Sequence, residues 1–428
     1  MSVQSLYSKK VFQNGLTLLT VPIETAASIT MSVFVKAGSR YEDTGLNGIS
    51  HFLEHLHFKG CKKYPTAKRL SEVIDAIGGE FNANTGKEHT QYYIRAAYEH
   101  LPLVFSVLTD MVQNPLFDEK EMNREKGVII EEINMYKDNP GIHVESLFEE
   151  LLWPDCNLGR DIAGTPEVIK VMNRKDVCDY REQYYQPGNM IIALAGKFDQ
   201  DKLESLVEDH WGSLPNKKFG TFKPVIEKQS KPRFIVQNKI TEQAHMIVGF
   251  GSYPYKSKYN YPLRLLSATL GGGMSSRMFI RIRERLGLAY YISTSYNSYL
   301  DTGNFMVQSG LKVSSAPQAL DVILDELRKV RKDGITSAEL KKSKDYIKGK
   351  IALAMEDPQD KMEWYLGQEA FLGRIRTIKQ TFEELDKVTL DDINMVARDL
   401  ISNDNLNLAV IGPFADQKIF ENRLSLDK

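Results

Sequence analysis

Near the midpoint of this 428-residue chain lies the segment Asn216 to Arg233, NKKFGTFKPVIEKQSKPR, rich in Lys, Pro and polar residues. Such a composition reads as a linker, and the stretches on its two sides run in the same order. The first half opens with strands over residues 16–21 and 29–35, then a helix through residues 49–56 and a second around 70–77. A strand pair follows at 80–84 and 90–96. Long helices come next, and a strand at 190–195 leads into a helix from about Asp199. The second half has strands at 233–237 and 245–250, a helix through 262–270, a strand pair at 289–297 and 304–310, several helices, and a last strand at 406–411. VFVKAGSRYED in the first half is loosely echoed by IVGFGSYPYKS in the second. Alternating runs such as TQYYIRA fit half-buried antiparallel strands with helices covering one face. The expected fold is therefore α+β, with two structurally similar domains, each a mostly antiparallel sheet with helices packed on one face. The expected division is 1–215, a linker at 216–233, and 234–428.

Bulk properties exclude several function classes. Hydrophobic content of 42% with 26% charged residues is that of a soluble globular protein. A formal net charge of -1 argues against a nucleic-acid binder, which needs a concentrated basic surface. No apolar run approaches the roughly 18 residues of a membrane span. The opening MSVQSLYSKKVFQNGLTLL lacks an uninterrupted apolar core before a small-residue cleavage site, so no secretory signal is expected. The first 30 residues contain no Arg, which argues against an amphipathic organelle presequence. Cys61, Cys156 and Cys178 have no metal-type spacing and read as free thiols in a reducing compartment, the cytoplasm by default.

The chemistry-bearing pattern is His51-Phe52-Leu53-Glu54-His55. On a helix, His51 and His55 are one turn apart and share a face. Two imidazoles at that spacing suit two tetrahedral positions of zinc. Glu54 lies beside them without being forced onto the metal, where a general base for a water should sit. An ordinary amphipathic helix with exposed histidines would carry the same letters. A third ligand would separate the two readings. The segment EKEMNREKGVIIEEINMYKDNP reads as a helix from about Asp118 to Lys137, with an apolar stripe of Met122, Val128, Ile129 and Met135 or Tyr136. Glu125 and Glu132, two turns apart, fall in that stripe, and a carboxylate on a buried face needs a cation or donors. Glu132 is the candidate third ligand and Glu125 the candidate support of a ligand or water. Glu131 reads as solvated, and acidic helix faces in general often are. His57, His89, His100, His143, His210 and His245 read as surface or core histidines.

With these residues laid out, the sequence resembles the pitrilysin/insulinase family of zinc peptidases, especially its short-chain, mitochondrial-processing-peptidase-like branch. The likeness covers nearly the whole chain. It rests on GISHFLEHLHFKG, GGEFNANTGKEHTQYY, REKGVIIEEINMYKDNP and MFIRIRERLGLAYYIST. Glu132 stands 77 residues after His55 and seven after Glu125, the family's spacing. The pair Leu56-His57 departs from the family, where Met and an apolar residue are common; neither is a ligand. The resemblance implies an Arg and a Tyr seven residues apart in the domain lacking the zinc motif, here Arg283 and Tyr290. A phenol can donate to an oxyanion, and a guanidinium can grip a carbonyl or carboxylate. It also implies substrate binding by strand addition along Phe81 to Thr85, with Asn82, Ala83 and Asn84 as the contact residues. An ordinary edge strand would read the same way.

The implied function is a zinc metalloendopeptidase with one Zn²⁺ per chain, held by His51, His55 and Glu132, with Glu54 as general base. Its substrates would be short or unfolded peptides, cut inside a chamber closed by a homodimer. The competing reading is a non-catalytic scaffold or partner subunit, but the residues such members lose are intact here. A zinc site that only holds the fold is a third reading; three protein ligands and a poised Glu favour an open, catalytic site. A dedicated maturase for one peptide is a fourth.

Overall fold

The computed structural model describes residues 6–427. Their strands assemble into two sheets. In the first, β1 (Ser8–Val11), β2 (Thr17–Pro22), β3 (Ser28–Val35), β4 (Glu80–Thr85), β5 (Thr90–Ala97) and β6 (Met190–Gly196) lie in the order β1-β2-β6-β3-β5-β4. In the second, β7 (Arg233–Asn238), β8 (Gln243–Ser252), β9 (Ala289–Ser298), β10 (Gly303–Lys312) and β11 (Asn407–Gly412) lie in the order β7-β11-β8-β10-β9. Leaving β1 aside, the two orders are the same permutation of strands. Each has one parallel pair, β2 with β6 and β7 with β11, and is otherwise antiparallel. The fold is α+β with two similar domains, and repetition of this topology is firmer ground for duplication than the faint sequence echo.

Burial explains which strands are central. All of β6, MIIALAG, is buried, as a strand covered on both faces should be. The edge strand β4, EFNANT, alternates exposed and half-buried residues with period two. One face of the first sheet packs on the helices Ile49–His57 and Leu101–Gln113, burying Val33, Ile94, Phe52, Leu53, Val104 and Leu108. In the second sheet, helix Asn260–Gly271 packs on β9, and helices Ala316–Asp333 and Leu390–Leu400 pack on β8.

The compact units are not contiguous in sequence. Among the described residues, the first takes those up to Asn134, Arg160–Lys223 and Leu353–Thr377; the second takes Met135–Gly159, Pro224–Ala352 and those from Ile378 onward. The units change hands between Lys223 and Pro224 and also exchange segments, which the expected division at 216–233 does not contain. The effect of the exchange is to cover the second face of each sheet. Helix Pro358–Gly367 lays Met362, Tyr365 and Leu366 on Leu19, Val21, Phe34, Ile191 and Ala193 of the first sheet. Helix Pro140–Leu152 lays Val144, Leu147, Phe148 and Leu152 on Ile247, Ala409 and Ile411 of the second. Each fully buried side chain of this kind stabilises its unit by about 1.5–3 kcal/mol. The helices of each sheet thus occupy both faces, where one was expected. The second helix begins at Asn139, whose side chain accepts hydrogen bonds from the Gly141 and Ile142 amides, with Pro140 at the first helical position.

The long helix runs over Glu119–Asp138. Its buried residues are Met122, Glu125, Ile129 and Ile133. Val128 (48% exposed) and Met135 (57% exposed) face outward, which corrects the expected stripe. A 3.6-residue period carries Met122, Glu125, Ile129 and Ile133 along one face, with half-buried Glu132 at its margin, and sets Val128 off it.

Candidate metal centre

The helix Ile49–His57 buries Ile49, Phe52, Leu53 and Leu56 and leaves His51, Glu54 and His55 half-buried. Its start is held by backbone geometry and one carboxylate. Gly48 adopts φ +98°, and a Cβ there would lie 2.6 Å from the Ala163 carbonyl oxygen, so only glycine fits. The Glu42 carboxylate accepts the Gly48 amide at 2.7 Å and the Ser50 amide at 2.8 Å, satisfying donors that the helix leaves orphaned. Burial pushes Glu42 up to about 7 against these hydrogen bonds.

His51, His55 and Glu132 converge. His51 Nε2 and His55 Nε2 are 3.2 Å apart, Glu132 Oε2 is 3.4 Å from His55 Nε2, and it is 3.8 Å from His51 Nε2. Ligands on zinc bonds of about 2.0–2.1 Å at tetrahedral angles would be separated by roughly 3.3 Å. The three atoms therefore form a triangle of the size a zinc ion demands. Among the described residues this is the one group of three or more such side chains with metal-ligand spacing. Its chemistry, two imidazoles and a carboxylate, suits zinc. Without a cation, two lone pairs and a carboxylate face one another and must be relieved by a proton. Burial opposes charge on His55, but its hydrogen bonds to Glu125 and Glu132 outweigh that and raise it to about 9. Burial and the neighbouring His55 lower His51 to about 4.

Two further carboxylates surround the triangle. Glu125 Oε1 lies 2.8 Å from His55 Nδ1, and this acceptor favours the neutral tautomer that carries its proton on Nδ1 and its lone pair on Nε2. Burial works against the Glu125 charge, yet the hydrogen bonds from His55 and Lys59 hold its carboxyl below the usual range. Glu54 accepts a hydrogen bond from the Thr85 hydroxyl at the end of β4. Burial raises the Glu54 carboxyl, and the Thr85 bond opposes that rise. Sequence reasoning did not single out Thr85, Lys59 or Glu42. For Thr85 a signal was present: period two along FNANT puts it on the same face as Phe81 and Ala83, and the Phe81 ring packs 5.3 Å from Phe58.

Alternation also sets the roles open to the strand residues. Asn82 and Asn84 are on the opposite face from Thr85, exposed; Asn82 Oδ1 accepts from the Ala83 amide, and Asn84 Oδ1 lies 3.0 Å from His89 Nε2. β4 is the last strand of its sheet, paired only with β5, so its other backbone edge is unpaired within the sheet. His57 is a core residue: its Nδ1 lies 2.7 Å from the Leu53 carbonyl, and burial pushes it down to about 3. Arg283 and Tyr290 belong to the second unit. Arg283 sits in a wide helical turn, Phe279–Arg285, with its guanidinium 4.8 Å from the Phe279 ring. Tyr290, on β9, is 56% exposed. A cleft of about 940 Å³ in the second unit, lined by Met274, Arg277, Arg285 and Tyr346 among others, includes none of the metal-cluster residues. No helix among the described residues is long and apolar enough to cross a membrane.

Comparison with known proteins gives a consistent result. Residues 18–166 match the model of the insulinase family, peptidase family M16, and residues 172–347 match that of the peptidase M16 inactive domain. An uncharacterized zinc protease of Bacillus subtilis (strain 168) is 36% identical over 403 residues, covering 94% of this chain and 97% of that protein. Another, from Streptomyces coelicolor, is 32% identical over 410 residues, covering 94% and 89%. In fold, the chain is similar to a protease from Helicobacter pylori, with TM-score 0.88 and 24% identity over 95% of this chain and 99% of that one. It is similar, too, to a peptidase M16 inactive domain structure from Pseudomonas fluorescens, TM-score 0.86 at 17% identity, covering 96% and 98%. The matched models, the relatives and the His51–His55–Glu132 cluster agree, and the chain belongs to the pitrilysin/insulinase-type M16 peptidase family.

Proposed function

We propose that the protein is a zinc-dependent endopeptidase acting on short or unfolded peptides. The observation that carries this reading is the triangle of His51, His55 and Glu132 with the Glu54 carboxylate beside it. Those three residues would hold one zinc per chain. Bound zinc would supply Lewis acidity, polarising the scissile carbonyl and making a water more acidic. Glu54 Oε1 or Oε2 takes the proton of the attacking water and returns it to the leaving amine. Burial favours this role by bringing the carboxyl's proton affinity closer to neutral. The Thr85 hydroxyl aims the carboxylate. The unpaired edge of β4 offers backbone donors and acceptors to an extended peptide, and Ala83 is small enough to let one approach. The Tyr290 phenol and the Arg283 guanidinium stabilise the oxyanion and grip a substrate carbonyl, in this chain or in a partner copy. A homodimer closing a chamber completes the reading, and enclosure would exclude folded substrates.

The test is a panel of short and medium-length peptides with and without chelator, alongside Glu54→Gln. Loss of general-base catalysis should slow cleavage by about 10²- to 10⁴-fold while zinc stays bound. Zinc-loaded wild type that cuts nothing, or a Glu54→Gln protein that cuts equally well, would sink the mechanism. Light scattering during gel filtration reads the dimer, and a monomer mass at micromolar concentration counts against the chamber.

A further inference from the structure

The motif helix does not stop being functional at His55. One turn further on, at the same four-residue spacing that separates His51 from His55, stands Lys59. The helix closes just before it: the Phe58 and Lys59 amides donate to the His55 and Leu56 carbonyls at 3.2 and 3.1 Å. Gly60 then adopts φ +139°, where a Cβ would lie 2.6 Å from the Pro65 carbonyl oxygen, so the chain turns away at once. This anchors the Lys59 backbone against the last turn. Its ammonium lies 2.7 Å from Glu125 Oε2, while Glu125 Oε1 lies 2.8 Å from His55 Nδ1. The two helices thus meet as a ladder: His51 and His55 on Glu132, His55 and Lys59 on Glu125.

We propose that Lys59 is a positioning residue for the zinc site. The Glu125 side chain is only 4% exposed. A buried carboxylate with one neutral donor is costly, and it lies in the same site as Glu132 and Glu54. With Lys59, the three carboxylates are balanced by a divalent ion and one ammonium. Lys59 also divides the work of Glu125, occupying one oxygen so that the other stays on His55 Nδ1. That fixes the His55 tautomer and turns its Nε2 lone pair to the ligand triangle. The inference rests on the zinc-site reading above and adds a residue outside the ligand set.

The experiment is a competition titration of zinc against a chromophoric chelator, on purified full-length protein. A zinc affinity readout is independent of whether any peptide is cut. Lys59→Met should weaken zinc binding by about 10- to 100-fold, the usual cost of losing a partner behind a ligand. Lys59→Arg, which keeps the charge and donors, should retain most of the affinity. In a Glu125→Gln background the further change Lys59→Met should matter by less than about twofold, because the interaction it serves is already gone. A merely structural lysine would give equal losses in both backgrounds. Wild-type zinc affinity in Lys59→Met, or a full additional loss on top of Glu125→Gln, would overturn the proposal.

Discussion

The two units share one strand permutation and differ in what their first long helix after β3 or β8 carries. In the first unit that helix, Ile49–His57, turns His51 and His55 toward Glu132 of the Glu119–Asp138 helix and sets Glu54 against Thr85 of β4. In the second it is Asn260–Gly271, whose buried face is Pro262, Leu263, Leu265, Leu266 and Leu270. The sheet beside it, β9, is the counterpart of β4, an edge strand in both cases. A common topology therefore does not make a site. What makes one is the replacement of packing residues by imidazoles and carboxylates on one helix face, and the supply of counter-charges from a second helix.

The largest effect expected from this contrast is on zinc. His51→Ala should abolish stoichiometric zinc binding, read by metal analysis after gel filtration, and change the stability of the metal-free chain little. Leu266→Ala in the second unit should do the reverse, costing about 2–5 kcal/mol in denaturant unfolding and sparing zinc. A second pair probes the exchanged helices. Phe148→Ala removes the ring that packs under Gly249 and should cost about 3–5 kcal/mol. Met362→Ala in the first unit should cost about 2–5 kcal/mol. Equal and small losses for both would mean that these helices merely rest on their sheets.

These effects also mark what could be read from residues in order. The positions of β2 to β11 follow from alternation and apolar runs, because period two and strand length are local properties. β1 escaped, since Ser8–Val11 is short and largely exposed. The exchange of helices escaped because an amphipathic pattern shows that Val144, Leu147 and Phe148 need a partner without showing which sheet provides it. At the site, His51 and His55 are legible from helical spacing alone. Glu132 follows from the helical stripe and then from the spacing of the family, and the stripe was only partly right, with Val128 and Met135 outside. Lys59 and Thr85 act through partners far off in sequence, 66 residues for Lys59 and Glu125 and 31 for Thr85 and Glu54.

Smaller effects sharpen the contrast. Thr85→Val removes the hydroxyl that aims Glu54 and should lower kcat by roughly the worth of one hydrogen bond to a charged group, about 1.5–3 kcal/mol, with zinc affinity unchanged. An equal fall in zinc affinity would show that Thr85 supports the ligands instead. Acid tolerance should depend on the second unit. The Arg277 guanidinium, 2.6 Å from Glu339, holds that carboxyl down at about 2 from an ordinary 4.5. A depressed folded-state value contributes stability above 4.5 that is lost as pH falls towards 2. The stability gap between wild type and Arg277→Met should therefore be full at pH 7 and shrink between pH 4.5 and 2; a gap that stays constant contradicts it. Glu131→Gln, on the exposed side of the same helix as Glu132, should change stability by no more than about 0.5 kcal/mol and leave zinc alone.

The claim beneath all of these is that one unit holds the metal and its twin does not. Anomalous scattering at the zinc edge, from crystals of protein loaded with a single equivalent, tests it directly. The expected result is one peak per chain, about 2.0–2.2 Å from His51 Nε2, His55 Nε2 and a Glu132 oxygen. A peak among the residues of the second unit, or one at Glu125 or His57 with Glu132 left free, would contradict the account.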